Sequence, residues 1–144
     1  MIRRSLCAVT AFAALAAAGP SLAGDVTVTL TDVRPDAGDL YISLQSEDQF
    51  MQAAAVAGEK VVNPQTDTVT VTFRDVPDGR YAMSVWHDIN GDGTFNMGPR
   101  GPTDGWSMIG ADDLRGMPTF AKNSFTLSGS ASITESVHYP ETGQ

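Results

Sequence analysis

Apolar and polar residues alternate along most of this chain, which is the pattern of β-strands that bury one face. The segment "DVTVTLTDV" places Val26, Val28 and Leu30 on one face and threonines on the other. The segment "LYISLQS" repeats the alternation with Leu40 and Ile42. Because turn residues separate these segments, the sequence predicts an all-β fold, an antiparallel β-sandwich of about seven strands with Greek-key-like connections.

The further predicted strands are "KVVNP", "DTVTVTF", "RYAMSVW", "NSFTL" and "ASITESVHY". Residues 47–55 lack β-branched side chains and contain good helix formers. They predict about one or two helical turns that cross between the sheets. The residues expected in the core are Val28, Leu30, Ile42, Val71, Phe73, Val85 and Phe125.

A long segment, residues 87–119, breaks the alternation. From residue 97 onward it is rich in glycine and proline, and it predicts neither a strand nor a long helix. Structureless connections of this length in a compact domain are usually functional or specially stabilised. We therefore expect this Gly/Pro-rich loop to form the functional or stability-determining surface.

Residues 1–23 have the composition of a secretory signal peptide. A basic pair at positions 3 and 4 precedes an apolar run over residues 6–18, and the small residues of "SLA" precede a predicted cleavage ahead of Gly24. The run is too short to span a membrane, and no stop-transfer pattern follows. This predicts a periplasmic or secreted protein with no membrane insertion after cleavage. A retained N-terminal anchor is the alternative.

Cleavage would leave residues 24–144 as a single β-sandwich domain. The only cysteine, Cys7, leaves with the signal, so that the domain must be stabilised by its core or by a metal. The net charge of −8 becomes −10 without Arg3 and Arg4. Such a charge disfavours nucleic acid as a partner and attracts cations, although solubility alone also explains it.

The sequence "HDINGDGTFN", residues 87–96, matches the calcium-loop pattern D-x-[DN]-x-[DN]-G. Asp88, Asn90 and Asp92 stand at alternate positions, and Gly93 permits a sharp turn. Calcium takes about six to eight hard oxygen ligands in a flexible shell, which alternating side chains on a coiled loop can supply. The alternative is a metal-free turn in which these side chains cap backbone N–H groups.

The rest of the calcium template is matched only in part. Thr94, through its carbonyl, and Asn96 occupy the next ligand positions, but Pro99 stands where the bidentate glutamate belongs. Asp104 is the expected distal carboxylate, and the acidic pair at 112–113 is the alternative. We therefore expect weak calcium binding, in the sub-millimolar to millimolar class. The predicted metal ligands are Asp88, Asn90, Asp92, Thr94, Asn96 and Asp104.

The segments "FRDVPDGRYAMSVWHDINGDGTFN", "GPTDGW" and "GMPTFAKNSFTL" resemble a bacterial family of exported proteins known as domain of unknown function 2141. The resemblance implies a secreted or periplasmic sandwich of the prealbumin or carboxypeptidase-regulatory kind, with no established activity. The chain departs from the family at Asp78, and at Asp104 and Trp106, which replace the usual Glu and Tyr but keep their chemical type. The residues that carry the resemblance are Pro77, Gly79, Tyr81, Ala82, His87, Asp88, Asn90, Gly91, Pro102, Asp104, Gly105, Trp106, Pro118 and Phe120.

Catalytic residues are not predicted. His87 beside Asp88 could act with Ser84 or Ser107, but adjacent residues on a strand point to opposite faces and no G-x-S-x-G elbow is present. His87 is expected to be a structural residue that ties down the loop. A zinc or copper site shared with His138 has weak support, because no third ligand stands at a recognisable spacing.

Aromatic and methionine residues flank or occupy the long loop. Trp86 and Trp106 are expected to anchor it to the core, with a sugar-stacking platform as the alternative. The methionines at 97, 108 and 117 predict gap-filling, with a soft-metal cluster as the alternative. The leading hypothesis is a non-enzymatic exported β-sandwich. The alternatives are a calcium-dependent module that binds a cell-surface glycan or protein, and a secreted hydrolase.

Overall fold

The computed structural model of the chain describes residues 22–141. Within this range the regular structure consists of ten β-strands and two short 3₁₀-helices, which confirms the predicted all-β fold. The strands are β1 (Ala23–Thr31), β2 (Asp39–Gln45), β3 (Ala57–Val61), β4 (Val69–Pro77), β5 (Gly79–Asp88), β6 (Met97–Gly98), β7 (Gly101–Pro102), β8 (Gly105–Met108), β9 (Ser124–Leu127) and β10 (Ala131–Ser136). The 3₁₀-helices are Glu47–Gln49 and Ala111–Asp113. Neither of these is long and apolar enough to cross a membrane.

The strands form two main sheets that share one core, as a β-sandwich does. The three-stranded sheet has the order β10-β1-β4. The five-stranded sheet has the order β3-β2-β5-β8, and β9 pairs with the first half of β5 while β8 pairs with its second half. The chain passes between the sheets after β1, β3, β4 and β9. Strands β6 and β7 form a separate small hairpin within the long loop.

Alternate residues of both sheets point into the core, because each strand buries only one face. In β1, Val26, Val28 and Leu30 are fully buried while the intervening threonines are half-buried, so the predicted alternation is confirmed. Of the predicted core residues, Val28, Leu30, Ile42, Phe73 and Val85 are buried, and Val71 and Phe125 pack partly buried at the edge of the core.

The expected antiparallel arrangement is wrong for one strand pair. Strand β10 runs parallel to β1, with Val26 opposite Ala131 and Thr31 opposite Ser136. Tight hairpins force antiparallel pairing, whereas a strand that arrives by a longer connection can run in either direction. Strand β10 follows β9 of the other sheet, so no hairpin joins it to β1.

The predicted helical turn after β2 is present as the 3₁₀-helix Glu47–Gln49, but it does not cross between sheets. It connects β2 to β3, which pair with each other in the five-stranded sheet. The buried amide of Gln45 donates to the carbonyls of Gln52 at 2.7 Å and Ala54 at 3.1 Å. These two bonds fold the connection back over the end of β2, so that the chain re-enters the same sheet.

The Gly/Pro-rich segment contains a strand that sequence periodicity did not predict. Strand β8 pairs with β5, with Trp106 opposite Trp86 and Ser107 opposite Val85. Its buried positions hold the small residues Gly105 and Ser107, while the large residue Trp106 lies on the half-buried outer face. The apolar alternation of an ordinary strand is therefore inverted here, which hides β8 from pattern analysis.

Candidate functional site

The acidic turn begins where β5 ends, at Asp88, a carboxylate that is only 5% exposed. Its Oδ1 accepts hydrogen bonds from the N–H groups of Gly91 at 2.9 Å and Asp92 at 3.2 Å, and its Oδ2 accepts one from the N–H of Gly93 at 3.0 Å. Gly91 and Gly93 have φ values of 70° and 72°, in the left-handed region that favours glycine. The chain therefore wraps around the Asp88 side chain.

A second ring of contacts surrounds Asp92. Its Oδ1 accepts the N–H of Thr94 at 2.8 Å, and its Oδ2 accepts the side-chain amides of Asn90 at 3.1 Å and Asn96 at 2.6 Å. The Asn96 amide also donates to the Thr94 carbonyl at 3.1 Å. The hydrogen bond from Thr94, followed by those from the two asparagines, lowers the pKa of the Asp92 carboxyl. Three predicted ligands, Asn90, Thr94 and Asn96, thus contact the carboxylate of a fourth, Asp92.

Asp104 lies beneath this turn and is fully buried. Its Oδ2 accepts the indole N–H of Trp86 at 3.3 Å and the backbone N–H of Asn96 at 3.4 Å. Its Oδ1 has no hydrogen-bond partner among the described residues. Burying an ionised carboxylate is costly unless both of its oxygens are compensated. The contact with Asn96 joins the predicted distal carboxylate to the turn.

The alternative distal pair at 112–113 belongs to a different part of the structure. Asp112 Oδ1 accepts the hydroxyl of Ser136 at 3.2 Å and lies 3.1 Å from Nε2 of His138. The second 3₁₀-helix holds both carboxylates beside β10, so neither is shown at the acidic turn. Of the three carboxylates considered for closing the calcium shell, only that of Asp104 is shown in contact with the turn.

The acidic turn offers a mixed set of oxygens. Carboxylates come from Asp88 and Asp92, side-chain amides from Asn90 and Asn96, and a backbone carbonyl from Thr94. Among residues 22–141 no three His, Cys, Asp or Glu side chains cluster as a metal site. Amide and carbonyl oxygens suit calcium, whereas zinc and copper prefer nitrogen and sulfur ligands. The ligand types in the turn therefore match those that calcium prefers, and calcium binding itself stays a prediction.

His87 lies on the inner face of β5 and is fully buried. Its Nδ1 is 2.6 Å from the hydroxyl of Tyr139, and its Nε2 is 3.2 Å from the carbonyl of Gly38. Because a carbonyl only accepts, Nε2 carries the proton and Nδ1 accepts from Tyr139. Burial lowers the pKa of His87, and the hydrogen bond to Gly38 offsets only part of this effect. His87 therefore ties three segments together as a neutral residue.

Two glycines lie close against the end of β5 that carries this histidine. A Cβ on Gly105 would lie 2.5 Å from the ring of Tyr139 and 2.8 Å from the Cβ of His87. Gly38 has a φ of 115°, and a Cβ there would lie 2.0 Å from the carbonyl oxygen of Asp88. Both positions therefore require glycine, because the chain packs closely where β5 ends and the acidic turn begins.

The structure does not assemble the catalytic arrangement considered for His87. Both of its ring nitrogens contact Tyr139 and Gly38, not the hydroxyl of Ser84 or Ser107. The Ser107 hydroxyl is buried without a hydrogen-bond partner among the described residues. His138 stacks on Trp106 with ring centroids 5.0 Å apart, and so does not join His87.

An aromatic row crosses the outer face of the five-stranded sheet. Tyr41 stands opposite Trp86, which stands opposite Trp106. Tyr41 and Trp86 stack with centroids 4.6 Å apart and planes 15° apart, and the Lys60 ammonium lies 5.3 Å from the Tyr41 ring centroid. One ring face of each tryptophan is covered by another ring. Together with the bond from Trp86 to Asp104, this geometry favours the anchoring role over the sugar-stacking platform.

Beside the aromatic row lies a groove that sequence reasoning missed. Its floor consists of the small residues Gly58, Ser43 and Ser84, which are in register across β3, β2 and β5. The groove has a volume of about 700 Å³ and is lined by Trp86 and by Phe95 of the acidic turn. Small residues facing outward on neighbouring strands were the only sequence feature that indicated it, and their register is not readable from one sequence.

These features define a class of protein: a β-sandwich domain that carries an Asp/Asn/Gly turn over a buried carboxylate. The chain belongs to a bacterial protein family, because the family model described as "Uncharacterized protein conserved in bacteria (DUF2141)" matches residues 28–135. The predicted resemblance is thereby confirmed, while its prealbumin-like detail stays a prediction. No curated protein and no solved structure matched the chain.

Several residues that carry the family resemblance have a visible structural task. The Tyr81 hydroxyl donates to the carbonyl of Pro77 at 2.8 Å. A Cβ on Gly79 would lie 3.1 Å from that hydroxyl, so glycine allows the tyrosine to close over the turn. At the other end of β5, Asp88 and Asp104 organise the acidic turn. Part of the resemblance thus lies at the two ends of β5.

Proposed function

We propose that this chain is an exported, non-enzymatic β-sandwich protein whose acidic turn, residues 88–96, binds calcium weakly. The observation that carries the proposal is the position of the Asn96 amide nitrogen. It lies 2.6 Å from Asp92 Oδ2 and 3.1 Å from the Thr94 carbonyl, and the Asn90 amide donates to the same oxygen of Asp92. Positive amide hydrogens thus converge on oxygens that calcium would bind.

Calcium binding would require only small changes at this turn. A half-turn of the Asn96 amide would place its oxygen beside Asp92 Oδ2 and the Thr94 carbonyl, where its nitrogen now lies. Each carboxylate oxygen has two lone pairs, and Asp88 Oδ2 accepts a single hydrogen bond. The backbone bonds that shape the turn can therefore persist while the ion binds.

Asp104 gives the proposal a distal carboxylate. It is fully buried, its Oδ1 has no hydrogen-bond partner among residues 22–141, and its Oδ2 contacts Asn96. A divalent cation above it would compensate the buried negative charge. Since only two carboxylates belong to the turn itself, affinity should lie near 10⁻⁴ to 10⁻³ M, roughly the class of extracellular calcium modules.

Thermal unfolding with calcium, magnesium and chelator tests the proposal. With a dissociation constant near 10⁻⁴ M, about 10 mM calcium should raise the free energy of unfolding by roughly 2.7 kcal/mol. Magnesium should stabilise much less, because it demands a regular octahedron and gives up water reluctantly. Asp92→Ala and Asn96→Ala should abolish the calcium-dependent rise in melting temperature.

Asp113→Ala is the matched control, because Asp113 is an exposed carboxylate in the same long segment but outside the turn. It should keep the full calcium response. Asp104→Asn should weaken the response without abolishing it. If millimolar calcium and chelator leave the parent protein's melting temperature unchanged, the turn is a metal-free cap and the proposal is wrong.

A calcium-dependent binder of a cell-surface glycan or protein is the second candidate. The position of Phe95 supports this second candidate. Phe95 belongs to the acidic turn and also lines the 700 Å³ groove, and it is 42% exposed. Calcium that orders the turn would fix one wall of the groove and so couple the two sites. A glycan array probed with and without calcium tests this candidate, and calcium-independent or absent binding would count against it.

Export and the absence of enzymatic activity have separate tests. The predicted cleavage gives a soluble exported chain that begins at Gly24, which intact-mass analysis of the exported fraction can identify. A membrane-bound species that retains Met1 would contradict it. A panel of esterase, peptidase and glycosidase substrates should show no turnover. Turnover lost in His87→Gln would support a hydrolase instead.

A further inference from the structure

Four of the five methionines in residues 22–141 line one cavity of about 230 Å³. They come from four separate segments of the chain. Met51 follows the first 3₁₀-helix, Met97 lies in β6, Met108 ends β8, and Met117 follows the second 3₁₀-helix. The folding of the long loop over the outer face of the sheet therefore collects these side chains. We call this site the methionine cavity.

The predicted gap-filling role does not fit Met97 and Met117, two of these methionines. A gap-filling methionine is buried, as Met83 is in the sandwich core with 1% exposure. By contrast Met51, Met97 and Met117 are 58%, 66% and 82% exposed. Leucine would serve equally well on an apolar surface, yet the cavity lining contains a single leucine, Leu114. Sulfur chemistry distinguishes methionine from leucine at such positions.

The other lining residues select for a soft ion. Among the described residues the lining contains no carboxylate, imidazole or thiol, so calcium and zinc find no ligand of the kind they prefer. Thioether sulfur is a soft ligand that selects Cu(I). Phe95 and Trp106 add aromatic rings, whose faces attract cations. The chain's net charge of −8 favours cations at its surface in general.

We propose that the methionine cavity binds one Cu(I) ion through the thioether sulfurs of Met51, Met97, Met108 and Met117. The long unbranched side chains can close around an ion that is smaller than the cavity, because three of them extend from loops or from the short β6 hairpin. The site shares no proposed ligand with the acidic turn. The Cu(I) proposal can therefore be tested independently of the calcium proposal.

An anaerobic titration with Cu(I) against the chromogenic chelator bicinchoninate tests the proposal. The chain should carry Cys7→Ala, because a free thiol binds Cu(I) by itself. The parent protein should withdraw one Cu(I) per chain from the chelator. The double variant Met97→Leu with Met117→Leu keeps the apolar character and approximate volume but should lower the affinity at least about tenfold.

Met83→Leu is the matched control, since it removes a buried thioether from the core and should leave Cu(I) affinity unchanged. X-ray absorption of the loaded protein should show sulfur as the only strong scatterer around copper. Excess calcium should not displace the ion. Equal binding of an apolar dye by parent and double variant would show that the cavity persists without its sulfurs.

Two results would overturn the proposal. The parent protein could leave all Cu(I) on the chelator, or the double variant could compete for Cu(I) as well as the parent does. Dye binding in the parent without Cu(I) uptake would show an accessible apolar cavity that does not bind the ion.

Discussion

The sandwich core and the acidic turn meet at the end of β5, yet they are held together by different interactions. In the core, side chains such as Leu30 and Ile42 are at most 1% exposed and contribute by leaving water. In the turn, Asp88 holds three backbone N–H groups that no strand pairs. The core depends on apolar volume, whereas the turn depends on individual oxygen atoms.

This difference determines how each region should tolerate substitution. A core accepts other apolar residues of similar volume, because dispersion and burial are not directional. A hydrogen-bonded turn accepts few substitutes, since each donor that loses its acceptor is left unsatisfied. Substitutions in the two regions should therefore change the free energy of unfolding by different amounts. A residue of similar apolar volume should restore stability in the core, whereas only a hydrogen-bond acceptor should restore it in the turn.

The largest effect is expected in the core, from Phe73→Ala. Phe73 is 6% exposed and packs in the shared core, so its removal loses burial and leaves a cavity. The free energy of unfolding should fall by about 3–5 kcal/mol, measured by urea denaturation. Val71→Ala on the same strand should cost much less, because Val71 lies partly buried at the edge of the core. Equal losses at the two positions would contradict this view of the core.

A smaller loss is expected from Asp88→Ala, which leaves the N–H groups of Gly91 and Gly93 without an acceptor, while the Asp92 N–H keeps the side-chain oxygen of Asn90 at 3.0 Å. Hydrogen bonds to a charged group contribute about 1.5–3 kcal/mol, and these three share one carboxylate, so about 2–3 kcal/mol should be lost. Urea denaturation in the presence of a calcium chelator measures this loss of unfolding free energy in the calcium-free protein. Hydrogen exchange at the amides of Gly91 and Gly93 should accelerate as well.

Asp88→Asn is the conservative control, because it keeps an acceptor oxygen in the same place and should recover part of the loss. A change to an apolar residue with the same branching at Cγ, Asp88→Leu, should recover none. Recovery by leucine would show that the turn behaves like the core, and the contrast between the regions would fail.

Sequence periodicity predicted the core well and the long segment poorly, for a physical reason. Burial repeats every second residue in a strand, so the alternation at Val26, Val28 and Leu30 predicts β1 directly. Strand β8 buries Gly105 and Ser107 and turns Trp106 outward, which inverts the pattern. The position of β8 depends on its register with β5, and no local pattern records that pairing.

The acidic turn was predictable from its spacing, whereas its surroundings were not. The pattern from Asp88 to Gly93 correctly located the turn, because Asx side chains bond backbone groups a few residues away. Asp104 was predicted as a distal calcium ligand, and that role stays a prediction. The structure places its carboxylate in contact with the N–H of Asn96, which the spacing alone did not predict. The groove and the methionine cavity escaped prediction because they arise between strands and loops that are distant in sequence.

A pH-dependent effect of intermediate size is expected from His87, where core and turn meet. Burial lowers its pKa below the value of about 6.5 in the unfolded chain, so the unfolded state binds a proton first as the pH falls. Its contribution to stability is complete above pH 6.5 and is lost as the pH falls from there towards the folded-state pKa. The slope cannot exceed about 1.4 kcal/mol per pH unit.

Urea denaturation of the parent and of His87→Gln between pH 5 and 8 measures this contribution as a difference. Glu135, whose pKa is raised chiefly by burial, acts in the opposite direction at lower pH and cancels in the comparison. The difference between the two proteins should shrink as the pH falls below 6.5. A constant difference would show that His87 does not titrate differently in the folded state.

The smallest effect is expected from Gly93→Ala, which tests backbone conformation apart from hydrogen bonding. Gly93 has a φ of 72°, and a Cβ there would meet no atom within 4 Å, so alanine adds strain but no clash. The N–H that donates to Asp88 is retained. The cost should be about 1 kcal/mol, because an L-residue resists the left-handed region while the unfolded chain also loses freedom. Gly93→Asn should cost less than alanine, since asparagine tolerates that region, and Gly91→Ala should match Gly93→Ala. If alanine proves neutral at both positions, the turn does not depend on left-handed glycines and its stability rests on the Asp88 carboxylate alone.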